Sequence, residues 1–127
     1  MGLFGGSRDQ LPTLVVEDDD GLRAYLVAVL EHQGFRVIAA ASAEEAAELL
    51  GGERAQLAVL DVGLPGEDGF AVADTLAEDT PVIIVTGDPV AAYAKAQLRS
   101  GLRYDVLPKP FEPAAFEHAV ARAVAAL

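Results

Sequence analysis

The sequence predicts an α/β domain in which one parallel five-stranded sheet carries helices on both faces. Two observations lead there. Apolar runs of strand length alternate five times with segments whose apolar residues recur at helical spacing, and the connections are short. Three of those runs also end on charged side chains: Leu14-Val15-Val16-Glu17-Asp18, Leu57-Ala58-Val59-Leu60-Asp61 and Val106-Leu107-Pro108-Lys109-Pro110. Side by side, they bring three carboxylates and one ammonium to the carboxyl edge of the sheet, where open α/β folds place their active sites.

Residues 1–12 read as a Gly-rich, polar lead-in closed by Pro12, and the domain occupies residues 13–127. The first strand is Thr13 to Glu17, apolar and β-branched as a buried parallel strand requires. A helix starts at Asp20, its expected N-cap. Leu22, Leu26, Val29 and Leu30 give it one apolar stripe, and Gly34 stops it. Phe35 to Ala39 is a short second strand. Ser42 and Glu45 have the spacing of a capping box, opening an Ala- and Glu-rich helix that runs to Leu50 and ends at Gly51-Gly52. Gln56 to Asp61 is the third strand. A Gly/Pro loop over Val62 to Asp68 follows, then a helix carrying Phe70, Val72, Ala73 and Leu76. Pro81 leads into the fourth strand, Val82 to Val85, which Thr86-Gly87 ends. Ala91 to Ser100 is helical and stops at Gly101. Tyr104 to Leu107 is the fifth strand, and Pro113 sits in the first turn of a last helix that runs nearly to Leu127.

Right-handed crossovers and the doubly wound, flavodoxin-like strand order 2-1-3-4-5 put strands one, three and four in the middle. The switch point then falls between Glu17-Asp18 and Asp61. A length of 127 residues suffices for one domain with an ordinary core, and 52% hydrophobic with 23% charged residues is a globular composition. No apolar run approaches a membrane span, and the N-terminus has no secretory leader pattern. The chain has no cysteine, which excludes disulfides, thiolate metal sites and cysteine nucleophiles and fits a cytoplasmic protein. A net charge of −11 opposes non-specific binding to nucleic acid or an anionic membrane.

Glu17-Asp18-Asp19-Asp20 is a run of four acids. Asp19 and Asp20 read as charge favouring a helix N-terminus. Glu17 and Asp18 instead finish an apolar strand, where they suit a hard cation such as Mg²⁺, which takes carboxylate oxygens and keeps several waters. Asp61 has two readings, an Asx turn into the following loop or a carboxylate nucleophile toward phosphorus. Its nearness to Asp18 favours the second, because adjacent carboxylates need a counter-cation. Thr86 reads equally as a helix cap or as a hydroxyl that donates to a phosphoryl oxygen. Lys109 sits between two prolines at a strand end, a poor place for a solubilising charge and a suitable one for a phosphate partner.

Together the stretches LVVEDDDGLR, LAVLDVGLPGEDGF, VIIVTG and VLPKPF, in this order and at these intervals, resemble the receiver domains of bacterial two-component response regulators. The similarity covers roughly residues 13–126. The resemblance implies that Asp61 is the phospho-acceptor. It implies that Asp18 binds Mg²⁺ or Mn²⁺ directly, that Glu17 does so mostly through water, and that the Gly63 carbonyl is a further ligand. Thr86 becomes the hydroxyl that turns onto the phosphoryl group, and Lys109 its ion-pair partner. The donor is a histidine kinase or a histidine phosphotransfer protein. Two departures bear on how the hydroxyl couples to the rest of the domain. The family usually has an aromatic residue three positions before the lysine, where this chain has Val106, with Tyr104 two residues earlier on the same strand face. The stretch from Gly101 to Lys109 is one residue longer than usual. Gly63 and Asp88 stand at positions that tune phosphoryl loss in the family.

Lys95, Arg99 and Arg103 gather three of the nine basic residues in one short stretch, either as solvated charge or as a docking surface for an acidic partner or a second copy. Receivers commonly use this fourth helix–fifth strand–fifth helix face, so a dimer through it is one of the two readings. On the first helix, Ala24, Val27 and Ala28 offer a small, smooth surface suited to a helical phosphodonor or to a plain Ala-rich helix. No DNA-binding pattern follows the last helix, so output is expected from another protein or another domain. The alternative is a pseudo-receiver, a binding module that keeps the fold and is controlled by partners; Val106 is its only support. A Mg²⁺-dependent phosphatase of the haloacid-dehalogenase kind needs a second aspartate two residues after the first, where this chain has Gly63. A flavodoxin-like electron carrier needs a phosphate-binding loop where the first strand is followed by acids.

Overall fold

The computed structural model describes residues 10–64, 68–99 and 103–125. Ten elements alternate along the chain: β1 (Thr13–Val16), α1 (Asp20–His32), β2 (Val37–Ala40), α2 (Ala43–Leu50), β3 (Leu57–Asp61), α3 (Gly69–Asp74), β4 (Val82–Thr86), α4 (Pro89–Leu98), β5 (Tyr104–Pro108) and α5 (Pro113–Ala125). The strands form one parallel sheet in the order β2-β1-β3-β4-β5. Residues 1–9 of the lead-in, Pro65 to Glu67 of the loop after Asp61, the expected helix stop at Gly101 and the last two residues lie outside the described residues.

Alternation along the strands splits the core into two layers. Leu14, Val16, Ala58, Leu60, Val82, Ile84 and Val106 face Ala46 of α2, Phe70 and Ala73 of α3, and Ala92 and Ala96 of α4. Val15, Val59, Ile83, Val85 and Leu107 face Leu26 and Leu30 of α1 and Phe116 and Val120 of α5. Phe70 and Phe116 are fully buried, one in each layer, and each contributes about 2–3 kcal/mol of apolar burial.

The helix ends follow their sequence signals with corrections at α1 and α2. Ser42 Oγ accepts from the Glu45 N–H and caps α2, while Glu45 Oε1 accepts from the Ala41 N–H, so the return bond of the expected capping box goes to the residue before the cap. Gly51 ends that helix in the left-handed region at φ 58°. Asp68 and Asp88 cap α3 and α4 through the N–H groups of Ala71 and Ala91. The cap of α1 is Asp19, not Asp20: its Oδ2 accepts from the Leu22 N–H at 2.6 Å, and Asp20 is the first helical residue. Two adjacent acids suit the position equally by type, and the turn after β1 selects the first. Strand and helix limits otherwise shift by a residue or two: β1 stops at Val16, β2 begins at Val37, and α4 begins at Pro89.

Candidate functional site

The site stands at the carboxyl edge of the sheet because β1, β3 and β5 all stop there. Val16 pairs with Leu60, so the residues that follow them, Glu17 and Asp61, leave neighbouring strands together. Glu17 is only 1% exposed, and Asp61 5%. The Glu17 N–H still donates to the Ala40 carbonyl at 3.0 Å, which keeps the residue in line with the sheet after β1 ends. Its Oε2 accepts from the Asp19 N–H at 3.0 Å. Its Oε1 lies 3.2 Å from Lys109 Nζ, a contact that supplies charge but no well-directed hydrogen bond. Burial pushes the Glu17 carboxyl above its usual range, and the Asp61 charge adds to the effect. The Asp19 N–H and Lys109 pull the other way.

Asp61 Oδ1 accepts from the Gly63 N–H at 3.1 Å and lies 3.3 Å from Lys109 Nζ. Both contacts fall on the same oxygen, so neither holds Oδ2. Asp18 is exposed at the rim of the same cluster. Glu17, Asp18 and Asp61 can each present one oxygen within 4.8 Å of the others. Three carboxylates face one ammonium here, so the cluster carries excess negative charge that a divalent cation would offset. Its donors are all oxygens, which suits a hard ion such as Mg²⁺ or Mn²⁺ rather than a thiophilic one. The unsatisfied, buried Glu17 Oε1 points to the same fit.

Lys109 arrives from β5 with a cis bond to Pro110, and its N–H donates to the Thr86 carbonyl at 2.7 Å. Burial works against its charge, but Glu17 and Asp61 outweigh burial and hold the ammonium above its usual pKa. Thr86 ends β4 with 3% exposure, and its Oγ1 accepts from the Asp88 N–H at 2.9 Å. The cap of α4 is Asp88, not Thr86; the Thr86 hydroxyl accepts from the Asp88 N–H and so supports the turn before the helix, and its own hydrogen is not used in that bond. Gly63 is exposed beside Asp61 and donates to it through its N–H.

Two contributors were not apparent from sequence. A Cβ on Gly69 would stand 2.5 Å from the Asp61 carbonyl oxygen and 3.1 Å from Leu60 Cβ, so only glycine lets α3 start against the end of β3. A glycine at the first position of a helix is its faint sequence signal. Arg23 donates from Nη1 to the Glu17 carbonyl at 2.9 Å.

Val106 is buried in the layer beneath α4, and Tyr104 shares its face, packed against Phe70 with ring centroids 5.4 Å apart. The three cations near α4 all have partners within the domain. Lys95 Nζ bonds Asp68 at 2.8 Å, Arg99 Nε bonds Asp74 at 2.9 Å, and Arg103 donates to the carbonyls of Thr80 and Ala73. All three reach α3 and its flanks, with the Lys95 and Arg99 side chains still 43% and 33% exposed.

The fold and its acidic edge define a signalling domain of the receiver type. Residues 13–121 match the response regulator receiver domain family, and the chain belongs to it. It is 39% identical over 102 residues to protein PetR of Rhodobacter capsulatus; that match covers 79% of this chain and 43% of PetR. The chain therefore spans less than half the length of that relative. Among solved structures, it resembles a CheY-like response regulator receiver domain from Methanospirillum hungatei, with a TM-score of 0.78, 25% identity, and 92% and 95% of the two chains covered. It also resembles a Burkholderia pseudomallei response regulator holding a phosphorylated aspartic acid, a calcium ion and citrate, with a TM-score of 0.71, 25% identity, and 92% and 72% covered.

Proposed function

We propose that this receiver domain takes a phosphoryl group from a phosphohistidine donor onto Asp61, with Mg²⁺ or Mn²⁺ held by Glu17, Asp18, Asp61 and the Gly63 carbonyl. The observation that carries this reading is one buried carboxylate, Asp61, placed between an ammonium at 3.3 Å and two further strand-end acids. An Asp61 oxygen attacks phosphorus as the P–N bond to the donor imidazole breaks. The imidazole nitrogen keeps the electron pair, and an acyl phosphate forms on Asp61. When bound, the divalent cation supplies positive charge against the oxygens of the transferring group. Lys109 pairs with one of those oxygens, and the Thr86 hydroxyl donates to another after leaving the Asp88 N–H. Water later attacks phosphorus, the Asp61 O–P bond breaks, and inorganic phosphate and the carboxylate are released. The intact charged set argues against the pseudo-receiver reading.

The donor is a histidine kinase or histidine phosphotransfer protein. Its helix has a surface to meet: Ala24 and Ala28 are exposed on α1, and a groove of about 560 Å³ lined by Leu22, Tyr25, Pro110, Phe111 and Pro113 opens beside Lys109. The output face is α4–β5–α5, where Val90, Tyr93 and Leu98 stand out on α4 and Val124 on α5, and where a second copy of the domain is proposed to pair. No described helix is long and apolar enough to cross a membrane. Intact mass after incubation with a small phosphodonor and Mg²⁺ tests the reading. One added phosphoryl group, absent in Asp61→Asn and in a chelator control, supports it. No adduct together with no beryllofluoride binding overturns it.

A further inference from the structure

Four consecutive acids are followed, one helical turn on, by a single cation. Arg23 Nη1 donates to the Glu17 carbonyl at 2.9 Å, and Nη2 to Asp20 Oδ1 at 2.7 Å. The Arg23 side chain is 24% exposed, whereas Asp20 is 91% exposed, so the carbonyl bond is the sheltered arm of the fork. That oxygen belongs to the planar peptide unit joining Glu17 to Asp18. Fixing it fixes the rotation of the plane, and with it the directions in which both carboxylates leave the backbone. The need is real, because pairing in β1 ends at Val16 and Asp18 lies beyond the ladder. Three bonds hold the turn: Glu17 N–H to Ala40, Asp19 N–H to Glu17 Oε2, and Arg23 to the Glu17 carbonyl. Among the described residues, only the last acts on the peptide between the two acids.

We propose that Arg23 is a positioning residue for the divalent cation, aiming Glu17 and Asp18 through the peptide that joins them. The inference rests on the metal reading given under Proposed function. Its sign separates it from a plain charge effect. A guanidinium bonded to the backbone of a metal-site residue repels a dication, so as a bare charge its loss would tighten cation binding. As a positioning group, its loss weakens binding.

The test is a titration of the whole chain with Mn²⁺ alone, the free ion followed by electron paramagnetic resonance. It compares wild type with Arg23→Met and Arg23→Lys, with thermal melts confirming the fold of each. Met keeps the stem and neither hydrogen bond. Lys keeps the charge but cannot span the carbonyl and Asp20 together. Both variants are expected to bind Mn²⁺ roughly tenfold more weakly, the usual scale for losing a group that orients metal ligands. Unchanged or tighter binding in a folded variant overturns the proposal, and where Arg23→Met does not fold, Arg23→Lys decides. A wild-type chain that takes up no Mn²⁺ removes the metal reading itself, a result distinct from binding that ignores Arg23.

Discussion

Lys109 and Asp61 meet across an intervening strand: the ammonium at the end of β5 stands 3.3 Å from Asp61 Oδ1 at the end of β3, with β4 between them. The same ammonium lies 3.2 Å from Glu17 Oε1. One cation thus spans three strand ends, and its backbone N–H is tied to Thr86 on the strand it crosses. The arrangement keeps two buried carboxylates near each other without neutralising both, which leaves the excess charge that a divalent ion would meet.

Glu17 is the most deeply buried carboxylate of that set. It ionises less readily in the fold than in the unfolded chain. The stability it lends is therefore complete below its unfolded pKa of 4.5 and is lost as pH rises through the higher folded value. Glu17→Gln is expected to melt higher than wild type at neutral pH without metal. The gap should close as pH falls toward 4.5, and added Mg²⁺ should raise the melting temperature of wild type alone. Melting curves across pH, with and without Mg²⁺, check both parts.

Gly69 sets how closely α3 approaches the site. In Gly69→Ala the new methyl would lie 2.5 Å from the Asp61 carbonyl oxygen, so backbone must move. The expected cost is about 1–3 kcal/mol by chemical denaturation. Amide resonances of residues 60–63 should shift more than those of β2.

Thr86 holds the start of α4 through the Asp88 N–H. Thr86→Val should cost about 1 kcal/mol and leave phosphoryl addition in place, because the nucleophile and the ammonium are untouched. Thr86→Ser should recover the loss. Beryllofluoride is expected to change the α4 resonances of wild type and Thr86→Ser, and to leave those of Thr86→Val largely as they were.

Lys95 tests the ion pairs that α4 makes toward α3. Its bond to Asp68 is partly exposed, so Lys95→Met should cost less than about 1 kcal/mol at neutral pH. Burial alone would raise the Asp68 pKa, but Lys95 and the Ala71 N–H outweigh it and lower the pKa. The stability from Asp68 is present above its unfolded pKa of 3.8 and lost as pH falls through the lower folded value. The difference between wild type and Lys95→Met should therefore vanish in acid. A neutral-pH difference that persists unchanged in acid would contradict the ion pair.

Much of the site was legible because its charges finish apolar strands. Glu17, Asp61 and Lys109 each follow a run that has no reason to end in charge, and strand order then brings them together. The strands themselves were plain from their β-branched runs, and the Ser42 cap of α2 lay within local reach. What was not legible depends on contacts remote in sequence. Lys95 and Arg99 pair with Asp68, the cap of α3, and with Asp74 at its end, acids that come within reach only after folding. Gly69 owes its identity to the approach of α3 to β3, and Arg23 to the turn at Glu17. The choice of Asp19 over Asp20 as the α1 cap was set by the same turn.

The central claim is that Asp61 receives the phosphoryl group. It is tested most directly by treating the chain with a small phosphodonor and Mg²⁺, reducing the acyl phosphate with borohydride, and sequencing the peptides by mass spectrometry. Reduction converts a phosphorylated aspartate to homoserine and leaves free carboxylates alone. Homoserine at position 61, absent from Asp61→Asn, is the predicted result. Homoserine at position 18, or a phosphoryl group retained in Asp61→Asn, would contradict it.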